Sequence, residues 1–184
     1  MSVSKNSTIT MLKEITTTFT CDYISLLDVG TFMVGTNDHR PPICTIDVDG
    51  NEGEVQHKLL PDKTYKLGES ACAYIPSPET ILFTDKEQHT VYVCDIRSGE
   101  GRVITHAKIR APRGKCASSN GCVFICCNDS TYLVQLSLHG DVLMAHDVGM
   151  DRPRAISVST DGSRLVVSNS AIGRKKIKLF NIVH

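Results

Sequence analysis

The chain has 184 residues, few enough for one domain and enough to bury a sizeable core. Its 20 basic and 20 acidic residues give a formal net charge of zero, which argues against strong non-specific attraction to nucleic acid or to an anionic membrane. No run of about 18 apolar residues occurs, and the first ten residues lack the apolar core of a secretion signal. We therefore expect a cytoplasmic protein that does not bind membranes and whose cysteines are reduced.

Short apolar bursts with a period of two residues recur between turn residues. In chain order, four of them read "TFMVGTND", "TILFTDKE", "CVFICCND" and "RLVVSNSA". β-branched side chains are frequent in these bursts, and Gly, Pro, Asn and Asp separate them, which is typical of short antiparallel strands. The sequence therefore predicts an all-β protein.

The bursts belong to a repeat. The Asn or Asp that closes each burst recurs at spacings of 48, 43 and 41 residues, at Asn37, Asp85, Asn128 and Asn169. A turn residue ahead of each burst has the same spacings, at Gly30, Pro78, Gly121 and Gly162. Each unit reads as a first strand, a tight turn, the burst as second strand, a third strand and a fourth strand. Four antiparallel strands in about 40–45 residues are the signature of a β-propeller blade.

The repeat predicts a single propeller domain over residues 1–184 with four blades, at about 22–67, 68–111, 112–152 and 153–184. The fourth unit has three predicted strands, whereas residues 7–15 (STITMLKEI) form a strand-like run outside any unit. This run is expected to supply the outer strand of the last blade and so to close a four-bladed ring. The alternative is that the four blades are part of a six-bladed propeller.

Cysteine is abundant in the third unit. Cys122, Cys126 and Cys127 lie on one predicted strand, with the first two on one face and the third on the other. Residues four apart on a strand are roughly 13 Å apart, too far to share one zinc ion. No HExxH, G-x-S-x-G or phosphate-binding glycine motif occurs. We therefore predict that the cysteines pack as small apolar residues, and that the chain is not an enzyme and binds no metal or other cofactor.

The Asn or Asp that closes each burst begins the loop to the third strand. Asx side chains cap such turns by accepting hydrogen bonds from nearby backbone N–H groups, so a structural role is expected. The alternative is a calcium-binding ring of acids and amides, as in some propeller hydrolases. It is disfavoured because three of the four residues are neutral amides.

Two basic segments are in phase with the repeat. "RAPRGK" (residues 110–115) and "DRPRAI" (residues 151–156) lie 41 residues apart, so that Arg113 coincides with Arg154 just ahead of a first strand. First strands line the channel of a propeller, and these arginines are therefore expected at one mouth of it. Arginine suits bidentate recognition of carboxylate or phosphate. We predict a partner-binding site made of Arg110, Arg113, Lys115, Arg152 and Arg154. Alternatively, the arginines pair with neighbouring acids such as Asp151 or Asp22.

The segments from Pro112 to Gly140 and from Pro153 to Phe180 resemble NHL-type propeller repeats. Those repeats follow Pro-x-Gly-Ile, a gap, Gly, an apolar strand that ends in Asp or Asn, and a further apolar strand. The second half of the chain carries this resemblance, and the first half matches mainly by spacing. The chain is similar to the C-terminal propellers of tripartite-motif proteins, especially the invertebrate sets. In those proteins a ubiquitin-ligase RING finger, B-box domains and a coiled coil precede the propeller.

The resemblance implies a recognition role, because propellers of this family recognise protein substrates or, in some members, structured RNA. The sequence has neither the zinc-ligand spacing of a RING or B-box nor a heptad stretch, so ligase activity is not expected. We expect a non-catalytic propeller that binds a protein partner through its loops and through Arg113, Arg154 and their neighbours. The alternative is an RNA-binding propeller that uses the same arginines, which the 5% aromatic content disfavours.

Overall fold

A computed structural model describes residues 11–36, 43–55, 70–76, 79–173 and 175–183, without the side chains of Asp22, Ser70, Ala71 and Pro76. These residues form fifteen strands and no helix, and so contain no helix that could span a membrane. The predicted positions Asn37 and Pro78 and most of the predicted outer strand of the first unit lie outside the described residues.

Four antiparallel sheets follow one another along the chain. The first contains β1 (Cys21–Asp28), β2 (Thr31–Thr36), β3 (Ile43–Asp47) and β4 (Glu52–Glu54). The second contains β5 (Ser70–Pro76), β6 (Glu79–Asp85), β7 (Thr90–Asp95) and β8 (Gly101–Ile104). The third contains β9 (Pro112–Ala117), β10 (Cys122–Cys127), β11 (Tyr132–Ser137) and β12 (Val142–Asp147). The fourth contains β13 (Pro153–Val158), β14 (Arg164–Asn169) and β15 (Ile177–Asn181).

Each sheet is a meander in which consecutive strands pair, and the four sheets are the blades of a propeller. The first strands are innermost, and β1 contacts β5, β5 contacts β9, and β9 contacts β13. The predicted all-β propeller of antiparallel blades is therefore confirmed.

Apolar clusters fill the three spaces between adjacent blades. Met33 and Phe83 lie between the first and second blades, Leu82 and Ile125 between the second and third, and the third and fourth blades share another cluster. The second and third blades are covered on both faces, which explains why bursts such as β10 are almost continuously apolar. A buried large side chain contributes roughly 1.5–3 kcal/mol relative to an exposed one, so these clusters hold the blades together.

The cysteines of β10 take part in this packing. Cys126 contacts the cluster shared with the fourth blade, and Cys127 the cluster shared with the second. Both are fully buried, and burial raises the pKa of Cys127 to about 11. All eight cysteines are free thiols. The predicted placement on opposite faces is confirmed, and no three His, Cys, Asp or Glu side chains of the described ranges gather into a metal site.

Residues 11–15 of the N-terminal run do not complete the fourth blade. Residues 7–10 lie outside the described residues, and residues 11–15 are not a strand and lie against the first blade. Lys13 Nζ donates to the carbonyl of Asp49 over 2.7 Å, and Thr18 N donates to Glu52 Oε1 over 2.7 Å. The expectation that this run closes a four-bladed ring is therefore wrong for residues 11–15. The described hydrogen bonds of this segment go to the first blade, and Ile177 and Leu179 of the fourth blade remain exposed.

Candidate interaction face at the third and fourth blades

The predicted basic residues lie on or near the two innermost strands of the second half of the chain. Arg110 and Arg152 are in the loops that lead to β9 and β13, whereas Arg113, Lys115 and Arg154 lie within those strands. Arg113 and Arg154 were expected just ahead of the strands. The strands begin earlier because Pro112 and Pro153 can occupy a first strand position, where no ladder N–H is needed.

The two loops share an uncommon backbone conformation directly before these prolines. Ala111 and Arg152 lie 41 residues apart and have φ angles of 46° and 52°. Such left-handed conformations are strained for residues other than glycine and persist only where the surroundings enforce them. Here the carbonyl of Ala111 accepts a hydrogen bond from Asn128 N, and that of Arg152 accepts one from Ser170 N, each over 3.0 Å. These bonds fix the backbone from which the Arg152 side chain extends.

Side chains from the loops after the second strands link neighbouring blades. His89 Nδ1 accepts a hydrogen bond of 2.9 Å from the N–H of Ala111 in the third blade. Asn128 Nδ2 donates to Pro153 O over 3.3 Å and to Ser170 Oγ over 3.2 Å in the fourth blade. Asn128 was expected to cap its own turn, and its side chain instead ties the third blade to the fourth.

The turn-capping role predicted for the other described positions is confirmed. Asp85 Oδ1 accepts a hydrogen bond of 2.9 Å from Gln88 N. Asn169 Oδ1 accepts one of 2.8 Å from Lys176 N, and its Nδ2 donates to Asp151 O over 3.2 Å. These side chains therefore shape the loops of the face rather than point into open space.

An open groove of about 750 Å³ lies between the loops of the third and fourth blades. Its lining combines one cation, two carboxylates, amide and hydroxyl groups and an apolar tip, from Asn128, Asp129, Ser130, Thr131, Asp151, Arg152, Ala171 and Ile172. Ile172 is 93% exposed, and Arg152 is exposed as well. The groove thus offers charged, hydrogen-bonding and apolar contacts, which is the mixture that recognises a peptide segment.

The five predicted residues separate into an exposed group and an inner group. Arg110, Arg152 and Arg154 are exposed, and none of them has an ion pair within the part of the chain that the structure describes. Arg113 is half-buried, with its Nε fully buried. The described residues therefore give no support to the alternative that Arg110, Arg152 and Arg154 pair with neighbouring acids.

Lys115 lies inside the arc rather than on the exposed face. Its Nζ is 5.5 Å from the centroid of the Tyr23 ring, so its side chain reaches from the third blade to the first. Burial lowers the pKa of Lys115 to about 8, and the nearby Cys72 thiol opposes this shift. A lysine in this position is suited to packing between inner strands, and the exposed arginines are better placed to meet a partner.

Gly114 explains how the two arginine-bearing strands come together. A Cβ atom on this glycine would lie 2.0 Å from the carbonyl oxygen of Arg154 and 3.0 Å from the Cα of Ala155. Both neighbours are backbone atoms, which cannot rotate away. Gly114 is the glycine of the Pro-x-Gly pattern at Pro112, and the equivalent residue of the fourth blade is Ala155, which is exposed. The close approach of β9 and β13 therefore requires glycine at this position.

Sequence reasoning missed the groove residues Asn128, Thr131 and Ile172 as parts of this face. Of these three, only Asn128 stood out in the sequence, because it recurs in phase with the repeat. It was predicted to cap its own turn, not to contact the next blade. Ile172 gave none, because it lies in the loop before β15, outside the bursts and turns on which the repeat was based.

The same fold occurs in proteins of known structure. Hydrazine synthase of Kuenenia stuttgartiensis superposes with a TM-score of 0.71 at 17% identity, over 95% of this chain and 49% of that one. A streptogramin B lyase superposes with a TM-score of 0.61 at 16% identity, over 88% and 54%. A virginiamycin B lyase of Staphylococcus aureus, solved with quinupristin, gives 0.63 at 18%, over 88% and 55%. No protein-family model and no curated protein matches the sequence.

These likenesses define the fold class alone. At 16–18% identity the residues of the two lyases and of hydrazine synthase do not transfer to this chain. The chain spans about half the length of the solved chains that it matches. It is a protein built from β-propeller blades.

Proposed function

We propose that this chain is a non-catalytic recognition module that binds an acidic segment of a protein partner in the groove between the third and fourth blades. The observation that carries the proposal is the pair of exposed arginines, Arg152 and Arg154, next to a groove whose backbone is fixed by hydrogen bonds. Loops on a rigid sheet scaffold are the usual place for binding residues.

The exposed guanidinium groups of Arg152 and Arg154 favour an extended acidic peptide, although the groove lining also carries the carboxylates of Asp129 and Asp151. The guanidinium of Arg152 suits a carboxylate or a phosphorylated side chain, and the exposed Ile172 offers an apolar contact beside it. Asn128 and Asp129 also line the groove, where the Asp129 carboxylate suits a peptide N–H or a basic side chain rather than an acidic one. A partner peptide would thus be recognised through its charge by Arg152 and through an apolar contact by Ile172.

The resemblance of Pro112–Gly140 and Pro153–Phe180 to NHL-type repeats supports placing this module near the tripartite-motif propellers. That relationship is part of the proposal. The glycine of the Pro-x-Gly step, Gly114, has a definite physical task in this chain, since it allows the close approach of β9 to β13.

The proposal is tested with an array of acidic and phosphorylated peptides and with the double variant Arg152→Glu, Arg154→Glu. Both side chains are exposed, so the variant is expected to fold. Reversing two charges is expected to weaken binding of acidic peptides by at least about 100-fold, since charge-assisted contacts contribute about 1.5–3 kcal/mol each. The matched control is Arg164→Glu, an exposed arginine at the start of β14, at the end of the fourth blade away from the groove.

Equal binding of acidic peptides by the wild type, the double variant and the control would show that the groove is not the binding site. RNA binding forms the second arm of the test. A salt-sensitive shift of a structured RNA that the double variant abolishes, together with no acidic peptide binding, would replace the peptide with RNA as the partner.

A further inference from the structure

The strained backbone positions of the described chain lie in loops at the same end of the blades. Of the described residues other than glycine, three have a positive φ, namely His89 at 55°, Ala111 at 46° and Arg152 at 52°. His89 directly precedes β7, and the other two directly precede the prolines that begin β9 and β13. Such conformations persist only where the surroundings hold them. The contacts of these residues therefore determine the shape of the loops, including those that line the groove.

The bond between His89 and Ala111 exists only while the histidine is neutral. A backbone N–H can only donate, so His89 Nδ1, which lies 2.9 Å from Ala111 N, must present a lone pair. The ring proton of the neutral histidine is then on Nε2. Ala111 is fully buried, so its N–H cannot turn to water for another acceptor. A proton on Nδ1 would set two donors against each other and break the bond.

A continuous series of hydrogen bonds leads from Ala111 to the groove. Ala111 O accepts a hydrogen bond of 3.0 Å from Asn128 N. The Asn128 side chain donates to Pro153 O over 3.3 Å and to Ser170 Oγ over 3.2 Å. Ser170 N donates to Arg152 O over 3.0 Å. The series crosses from the second blade to the third and on to the fourth, and both Asn128 and Arg152 line the groove.

We propose that His89 is a positioning residue of the groove and that its protonation weakens the binding of an acidic peptide there. This inference rests on the proposed function. Neutral His89 holds Ala111 in its left-handed conformation, and Ala111 in turn holds the backbone of Asn128. When the bond to His89 is lost, the strained Ala111 backbone relaxes and moves the carbonyl that Asn128 N bonds. Because histidine changes its charge between about pH 5 and pH 8, the effect falls in that range.

The charges around the bond between His89 and Ala111 have both signs. The three loops that meet there carry three cations, three carboxylates and one further histidine, from Asp85, Lys86, Glu87, His106, Lys108, Arg110 and Asp129. Lys86 and Glu87 form an ion pair of 3.8 Å within the turn of His89. A pH effect on the groove is therefore assigned to His89 only through variants that change this residue alone.

Two substitutions separate the proton of His89 from its role as an acceptor. In His89→Asn, Oδ1 is attached to Cγ as Nδ1 is in histidine, so it can accept the same N–H without titrating, and asparagine tolerates the left-handed conformation. In His89→Gly the acceptor is absent at every pH, and glycine adopts this φ without strain. The matched control is His106→Asn, because His106 Nδ1 also accepts a backbone hydrogen bond, from Lys108 N over 3.2 Å, but within its own loop.

Peptide titrations provide the first measurement. The probe is a Glu-rich peptide with a central leucine and no histidine or phosphate, whose carboxylates stay ionised above about pH 5.5. For the wild type and His106→Asn, we expect its dissociation constant to rise at least about 5-fold from about pH 7.5 to about pH 5.5. For His89→Asn we expect a change of less than about 2-fold, and His89→Gly should bind weakly at both pH values. Equal pH dependence in the wild type and His89→Asn would overturn the proposal and leave the groove as the binding site.

NMR spectroscopy observes the bond itself and needs no peptide. At about pH 8 the ring of His89 is expected to carry its proton on Nε2. As the pH falls, the amide signals of Ala111 and Asn128 should shift together with the His89 ring in the wild type and stay in place in His89→Asn. Amide signals that do not follow the titration of His89, or a neutral ring with its proton on Nδ1, would overturn the proposal. Failure of acidic peptides to bind at any pH would instead refute the proposed function, and the NMR titration would still decide the role of His89.

Discussion

The close approach of β9 and β13 at Gly114 makes a sharp prediction. An alanine there would place its Cβ 2.0 Å from Arg154 O and 2.9 Å from the carbonyl carbon of the same residue. A carbon and a carbonyl oxygen ordinarily approach to about 3.3 Å, so the strands would have to separate by more than 1 Å. That separation would loosen the apolar cluster between the third and fourth blades, which contains Phe124 and Leu165.

Forced overpacking of this kind costs about 2–3 kcal/mol. For a chain of this size, the loss corresponds to a fall in the melting temperature of about 4–12 °C. Thermal unfolding followed by circular dichroism at 215 nm (a wavelength sensitive to strands), or by calorimetry, measures it directly. The contrasting variant is Gly99→Ala, where φ is 71° but no atom lies within 4 Å of the added Cβ. It carries backbone strain alone, about 1 kcal/mol. A Gly114→Ala protein that melts within 2 °C of the wild type, or above Gly99→Ala, would refute the reasoning.

Three further predictions concern titratable groups. Burial lowers the pKa of Lys115 to about 8. The charged lysine therefore destabilises the folded state below pH 8, and this effect fades as the pH rises towards 10.5. Denaturant titrations at pH 7 should show that Lys115→Met raises the free energy of unfolding by about 1–2 kcal/mol. Hydrogen bonds from Ser159 and Ser163 lower the pKa of Asp161 to about 2, so its stabilising effect is present above about pH 4 and is lost towards pH 2. In Asp161→Asn, the free energy of unfolding should therefore fall less steeply between about pH 4 and pH 2 than in the wild type. The same pH dependence in both proteins would contradict this prediction. Of the eight cysteines, Cys21 is the exposed one. A thiol reagent should therefore label one site rapidly in the native chain and no site rapidly in the Cys21→Ser variant. Rapid labelling of several sites would contradict the packing of the other cysteines.

The strand order of each blade was readable from the sequence because it depends on local patterns. The bursts alternate or run apolar according to whether one or both faces are covered, and β10 and β14 begin and end within a residue or two of the predicted bursts. The alternation of side chains along a strand also placed Cys126 and Cys127 on opposite faces. Contacts between blades could not be read in this way. Asn128 looked like a local cap, and its bonds to Pro153 and Ser170 depend on how far apart two blades lie.

The amino-acid pattern by itself determined the class of fold, the blade repeat and the burial of Cys126 and Cys127. These features follow from side-chain periodicity, turn residues and the cost of leaving apolar surface in water, all of which act over a few residues. Only the tertiary structure decided that residues 11–20 lie on the first blade, that Lys115 and the exposed arginines belong to different environments, and that β9 and β13 meet at Gly114. Those outcomes depend on distances between segments that are remote in the chain, and the packing of whole blades sets these distances.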